Sequence, residues 1–476
     1  MGGEWNGTVG EGKELRVDVR SYQAELGVLR GSHIGNLSDL EAALEREEPF
    51  FTTDTFSYAI AEPRQRVSHL VGSVAYVHEW NSTRRERWQL HTQHNVRKEF
   101  DVRRSGRSAV PALDLQLFTQ EARYSQGWGK EGQENLLLGG SWRLKKNTND
   151  AETGILPLIP NYLSHEGAAF VAGNWDLDRA TLSWGLRYAG TQRAVAAISN
   201  TLPREVVFYT DQFHAWNGAW TYRRPWRERG AWTLEGQWNE RAPEPNELYS
   251  FGLHQGVSGI EEGNPDLNKE RGAHLQAKLE GRPRPWLRLE AVGYVQHYLN
   301  YIYLQPTNEF RLTIRGAFPV FEYRQAAAQL LGAEGAVSVQ LPKGWWLHSQ
   351  WNALRGTNLS EQLPLVYMPP SRITSVLRRP LPDWGPLERM TLAVEHAYTS
   401  EQRHWDASLD FAPPPPAYHL WHVEWNAQWH SAGRPPQLVI RINNATNTAY
   451  RDYLNRLRYF ADDLGRNVQL GVRWNF

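Results

Sequence analysis

The chain has 476 residues and balances 52 basic against 52 acidic side chains, which excludes nucleic acid as its main partner. It has no cysteine, which excludes a disulfide framework and thiolate metal sites. No apolar run approaches the roughly 18 residues of a membrane helix, yet the 22 Trp and 20 Tyr pair apolar rings with polar tips, as side chains at a membrane–water interface do.

In chain order, the start, Met1-Gly2-Gly3-Glu4-Trp5-Asn6-Gly7, shows neither the basic region nor the apolar core of a signal peptide. From residue 14 onward apolar and polar side chains alternate with a period of two, the mark of strands with one oily and one wet face. About 18 such segments follow: 14–27, 66–79, 86–99, 112–125, 134–145, 163–175, 179–191, 205–222, 230–241, 268–281, 286–304, 320–340, 345–357, 371–379, 387–399, 417–430, 437–448 and 466–476. In 232–239, Trp232, Leu234, Gly236 and Trp238 share one face and Thr233, Glu235, Gln237 and Asn239 the other. In 417–430, Trp421, Val423, Trp425, Ala427 and Trp429 lie with His419, opposite Tyr418, Leu420, His422, Glu424, Asn426 and Gln428. The chain closes on Val468, Leu470, Val472, Trp474 and Phe476, alternating with Gln469, Gly471, Arg473 and Asn475. The wet faces carry more charge than a packed core tolerates unpaired, whereas a large water-filled or plugged lumen accepts it.

The connections alternate long and short. Segments 28–65, 100–111, 146–162, 192–204, 242–267, 358–370, 400–416 and 449–465 are long. Between them lie tight turns such as Asn81-Ser82-Thr83, Asp176-Leu177-Asp178, Gly281-Arg282-Pro283-Arg284-Pro285 and Leu341-Pro342-Lys343-Gly344. Outer-membrane barrels have short periplasmic turns and long external loops. A β-propeller or lectin also uses many aromatics, but a propeller repeats every 40–45 residues or so, and no such repeat is present. In the first long loop Ser38-Asp39-Leu40-Glu41 reads as a capping box opening a helical turn. The expected fold is therefore all-β: a transmembrane, antiparallel, up-and-down β-barrel.

Several segments combine into a family pattern. Asn239-Glu240-Arg241-Ala242-Pro243-Glu244-Pro245-Asn246-Glu247-Leu248-Tyr249 is followed by Gly263-Asn264-Pro265-Asp266-Leu267-Asn268-Lys269-Glu270. Pro364-Leu365-Val366-Tyr367-Met368-Pro369-Pro370-Ser371-Arg372 leads into a strand. Asn443-Asn444-Ala445-Thr446-Asn447-Thr448-Ala449-Tyr450-Arg451 precedes Gly465-Arg466-Asn467 and the closing strand with Phe476. In order and spacing this resembles the barrel of TonB-dependent outer-membrane receptors. The resemblance implies that Arg241, Pro243, Gly263, Asn264, Pro265, Tyr450, Arg451, Gly465, Arg466 and Phe476 are family motif residues, which shape the barrel rather than touch a ligand. Phe476 would be the terminal aromatic read by the barrel assembly machinery. Complete members carry a signal peptide, a TonB box and a plug, and residues 1–476 show none of these. Family barrels have 22 strands, which at roughly 26 residues per strand and connection need about 570 residues. The expectation is thus an N-terminally truncated barrel over 1–476, with an even strand number and both ends on the periplasmic side.

No catalytic or metal-binding constellation stands out. His91 and His94, like His419 and His422, are three apart in a strand, face opposite sides and cannot chelate together. His-Glu-x-x-His, Gly-x-Ser-x-Gly and phosphate-loop patterns are absent, and no cofactor is expected. The loop with Arg103, Arg104 and Arg107 offers guanidinium forks for an anionic ligand or lipopolysaccharide, against the plainer reading of a solvated loop. Tyr249, Phe251, His254 and Gln255 on another long loop could hold a chelate or a sugar. The resemblance implies a non-enzymatic receptor of the outer membrane that takes up a scarce small molecule, such as a ferric siderophore, haem, cobalamin or an oligosaccharide. Its partners would be outer-membrane lipid, lipopolysaccharide and, through a plug outside this chain, the TonB complex. A passive or adhesive barrel and a soluble sugar-binding or hydrolytic β protein are the alternatives.

Overall fold

Alternation along the chain becomes one antiparallel meander. The computed structural model describes residues 2–30, 42, 46, 57–101, 110–129, 135–199, 201–226, 229–313, 316–431 and 435–474, with Gln255 described by its backbone alone. The strands are β1 (Gly2–Gly10), β2 (Lys13–Gly27), β3 (Arg64–Asn81), β4 (Arg84–Phe100), β5 (Leu113–Trp128), β6 (Leu136–Asn149), β7 (Asn161–Leu177) and β8 (Ala180–Ile198). They continue as β9 (Val206–Trp226), β10 (Gly230–Arg241), β11 (Phe251–His254), β12 (Gly259–Glu262), β13 (Glu270–Arg284), β14 (Leu287–Thr313), β15 (Gly316–Gln340) and β16 (Trp346–Asn358). The last are β17 (Leu363–Pro364), β18 (Arg372–Pro380), β19 (Leu387–Thr399), β20 (Tyr418–Trp429), β21 (Gln437–Asn443) and β22 (Asn467–Arg473). One short helix, α1 (Pro245–Tyr249), interrupts them.

Of the 22 strands, β11, β12 and β17 are local additions; the other 19 pair antiparallel, each with the next. All the segments read from alternation are strands of this meander. The additional strand is β1, whose pattern is diluted by Gly2, Gly3, Gly7 and Gly10. With an odd number of strands, Gly2 lies at the long-loop rim and not, as expected, at the short-turn rim. Among the described residues β1 pairs only with β2 and β22 only with β21.

The register separates two faces. Outward, Trp88, Leu90, Leu186, Trp216, Leu275, Trp351, Ile373 and Leu470 form an exposed apolar surface around the meander. A contiguous apolar surface of this extent requires a non-aqueous neighbour. No helix among the described residues is long and apolar enough to cross a membrane. Inward, charges form ladders: Arg143 bonds Glu121 at 2.7 Å and Arg187 bonds Glu166 at 3.0 Å. Arg223 meets Glu280 at 2.7 Å and Lys278 meets Glu290 at 2.9 Å. Paired in this way, the inner charges need no dry core. Aromatic rings lie over glycines directly across the ladder, Trp220 on Gly236 and Trp351 on Gly335 outside and Tyr294 on Gly332 inside. A Cβ at any of these glycines would strike the ring, so each pair fixes register.

β14 and β15 run to 27 and 25 residues, against the 9–11 or so that cross a bilayer. Their hairpin therefore stands well clear of the membrane, although alternation suggests an end near 304. The break is a register shift between Pro306 and Phe310, with Asn308 at φ 62, after which pairing resumes. The capping box read at Ser38-Asp39-Leu40-Glu41 lies outside the described residues.

Candidate functional site

The long loop 242–267 is built at its base by Arg241, the last residue of β10. Its guanidinium donates to Glu247 at 2.7 and 3.0 Å and to Glu270, the first residue of β13, at 2.9 and 3.1 Å. One side chain thus joins the two ends of the loop. Glu247 also accepts the Glu244 amide at 2.7 Å, closing a capping box over α1, and Pro245 opens the helix where no N–H is needed. Pro243 is fully buried, and a Cβ on Gly263 would lie 2.6 Å from the Leu248 carbonyl carbon. The Asn264 amide donates to the Glu247 carbonyl at 2.8 Å, while Pro265 is exposed beside it. The structure thus places Arg241, Pro243, Gly263 and Asn264 in the loop's own framework.

Beyond α1 the loop forms the β11–β12 hairpin and touches several distant strands. The Tyr249 hydroxyl donates to Asp211 on β9 at 2.5 Å, and its ring stacks on Tyr209 at 4.7 Å. Lys145 on β6 meets Glu244 at 3.3 Å. The Asn246 amide donates to the Tyr323 hydroxyl on β15 at 3.0 Å. His254 Nδ1 lies 3.0 Å from Glu261 and its Nε2 lies 3.4 Å from the Arg97 guanidinium on β4. Buried Glu261 in turn accepts from Arg456 at 2.7 Å, an Arg in the loop between β21 and β22 whose guanidinium lies over the Phe321 ring. Arg97, Lys145 and Asp211 all lie on the charged, inward face of their strands, so loop 242–267 folds within the rim and spans the mouth as a roof.

A second knot holds the neighbouring loops. Asp410 accepts from Arg458 and from the Tyr459 hydroxyl, each at 2.6 Å, and Tyr459 bonds Tyr367 at 3.0 Å. Arg451 donates to Asp462 at 2.7 Å and to the Arg458 carbonyl at 2.9 Å. The Tyr450 ring packs on Tyr418 at 4.7 Å. The Arg466 amide donates to Asn447 Oδ1 at 2.8 Å, and Gly465 lies so close to that same oxygen that a Cβ would be 2.9 Å away.

The electrostatics of the mouth follow from burial. Burial pushes the Tyr367 and Tyr453 hydroxyls up to about 12. Tyr249 and Tyr459 are also raised, first by burial, then Tyr249 by the Asp211 carboxylate it bonds and Tyr459 by Tyr367 and Asp410. These phenols stay neutral at physiological pH and act as hydrogen-bonding groups, not phenolate ligands. Burial alone would raise Glu261, but the His254 hydrogen bond and the Arg456 charge pull its carboxyl below the ordinary value. No group of three or more His, Asp or Glu able to hold a metal ion occurs among the described residues. His91 and His94 take opposite faces of β4, and His419 meets His396 across the ladder at 2.9 Å on the outward, aromatic face. Along the inner wall two polar hollows open, one of about 290 Å3 beside Glu334, Gln350 and Arg372 and one of about 230 Å3 beside Asn174, Ser183 and Thr221.

Tyr249 and His254 are thus brought to the mouth, each held by protein partners. Arg103, Arg104, Arg107 and Phe476 lie outside the described residues. Arg97, Glu261, Asp410, Arg456 and Arg458 did not stand out in the sequence. The one available signal was the Arg-rich run Arg451-Asp452-Tyr453-Leu454-Asn455-Arg456-Leu457-Arg458 in the last long loop.

Known proteins with this architecture are consistent with one another. The copper transporter OprC superposes with a TM-score of 0.74 at 15% identity, over 98% of this chain and 70% of its own. The FrpB iron transporter from Neisseria meningitidis (F3-3 variant) gives 0.64 at 13% identity, over 99% of this chain and 70% of its own. The closed form of the ferric-catecholate import receptor Fiu from K12 E. coli gives 0.66 at 10% identity, over 98% and 73%. At these identities the likeness establishes the fold. The family model for the TonB dependent receptor-like β-barrel matches residues 30–447, and with its apolar outer face the chain belongs to the TonB-dependent receptors as a multi-pass β-barrel of the outer membrane.

Proposed function

We propose that this barrel serves energy-coupled uptake of a scarce, anionic small molecule, a ferric siderophore or similar chelate, and is a transporter rather than an enzyme. The observation that carries the reading is the roof: loop 242–267 is tied across the mouth and sets His254 and Arg456 on the buried Glu261 carboxylate, with Arg97, paired to Glu99, on the far side of the His254 ring. Guanidinium forks and neutral phenols recognise carboxylate and catecholate oxygens. The structural neighbours named for ferric-catecholate, iron and copper transport support a metal chelate as cargo. On sequence grounds alone Arg103, Arg104 and Arg107 join this surface from the loop after β4. The TonB complex would act through a plug that is not part of residues 1–476, lipopolysaccharide would surround the external rim, and the assembly machinery would read the terminal aromatic.

The test is uptake of radiolabelled iron by cells producing the receptor, offered as a ferric catecholate, ferric citrate or a neutral ferric hydroxamate. Saturable uptake of an anionic chelate, abolished by collapsing the proton gradient, is expected. R456A should weaken binding about ten-fold, or roughly 1.4 kcal/mol. Uptake that persists after the gradient is collapsed would make the protein a passive barrel and end this reading.

A further inference from the structure

A groove of about 880 Å3 opens on the outer surface of the barrel near its short-turn rim. Its walls are Trp226, Leu279, Leu289 and Trp351, all outward-facing and 42–47% exposed. Ala291 and Ser349 form the floor, and Arg229 stands at the rim end beside Pro283. Trp351 lies five residues along β16 from its start at Trp346. At about 3.4 Å per residue this is roughly 17 Å before strand tilt, the depth of one leaflet of a hydrocarbon core about 30 Å thick. The groove therefore opens to chains of the periplasmic leaflet.

The rim beside it is cationic. Arg229, Arg282, Arg284, Lys343 and Arg379 fall on three adjacent short turns and the start of a fourth, and none forms an ion pair with a described residue. Glu280 and Glu290, the carboxylates next to the groove, face inward and are already engaged, Glu280 by Arg223 and Lys278 and Glu290 by Lys278. Unpaired Arg and Lys at a membrane surface attract anionic head groups, and a guanidinium fork fits a phosphodiester.

We propose that this groove is a specific site for an anionic glycerophospholipid of the periplasmic leaflet, with an acyl chain between Trp226 and Trp351 and the phosphate on Arg229, with Arg282 adding positive charge on the adjacent turn. The apolar walls select a chain, and the cations at one end select its charge and polarity. A bound lipid would brace β9, the turn that follows it and β13–β16 at the end of the barrel opposite the roof.

Native mass spectrometry of the protein extracted from its own membrane tests this, with palmitoyl-oleoyl phosphatidylglycerol and phosphatidylcholine as probes. The wild type should retain one phosphatidylglycerol with a preference of about ten-fold over phosphatidylcholine. R229S/R282S should reduce that preference to within about two-fold. A291W, which fills the groove from its lipid-facing floor, should lose the bound lipid while leaving the amount of protein recovered from the outer membrane unchanged; S349F, from the same floor one strand pair away, should do the same. Equal retention of both lipids by the wild type, or unchanged retention in the filled variant that folds, would overturn the proposal. So would a wild-type dimer that either filling substitution dissociates, because the groove would then seat a second copy.

Discussion

Single side chains do most of the fastening in the mouth. Arg241 can tie two ends of a loop because its planar fork offers donors in two directions, and Glu247 and Glu270 meet both. Asp410 does the converse, one carboxylate accepting a guanidinium and a phenol from a loop almost fifty residues on. Glu261 is the most informative of these residues because its contribution depends on pH. Its folded-state carboxyl lies below the ordinary value of 4.5, held there against burial by His254 and Arg456. A depressed carboxyl stabilises fully above that ordinary value, and the stabilisation is lost as pH falls through the lower folded-state value. Limited proteolysis of loop 242–267 should therefore accelerate on acidification below about 4.5. E261Q should be susceptible already at neutral pH, losing roughly 1–3 kcal/mol, and should show a smaller acid step. Identical acid profiles for wild type and variant would remove Glu261 from the roof.

At the scale of elements, the strands were legible because alternation is set by the pleat of the backbone itself. Every long segment of period two became a strand with the same oily face outward, down to Val468, Leu470 and Val472 in β22. The glycine-rich β1 and the outer part of the β14–β15 hairpin were not legible, because glycine carries no side-chain signal and Pro306 with Asn308 reads as a turn. Loop lengths predicted sidedness, and that is testable by labelling. A tag inserted near residue 105, after β4, should be reachable from outside intact cells, and a tag near residue 433, between β20 and β21, should not. The opposite pattern would invert the barrel in its membrane. Position 255, equally suitable by loop length, is a poorer insertion site, since the hairpin there is rooted to β4 and to the last long loop.

At the scale of the whole molecule, the meander has two edges, β1 and β22, each paired on one side among the described residues. A bilayer offers no hydrogen bonds to an exposed strand edge, and each unsatisfied backbone group there costs several kcal/mol. Produced alone, residues 1–476 are thus expected to give little of the compact, heat-modifiable species that a closed barrel shows on electrophoresis. Efficient heat-modifiable assembly would mean that the 19 strands close on themselves. The strands, their two faces and the membrane they imply follow from the order of residues, since each depends on neighbours two positions apart. The roof over the mouth and the groove on the outer wall do not. Arg97 meets His254 across 157 positions and Glu261 meets Arg456 across 195. Such pairs leave no local period in the chain, and only the curling of the sheet around them brings them together.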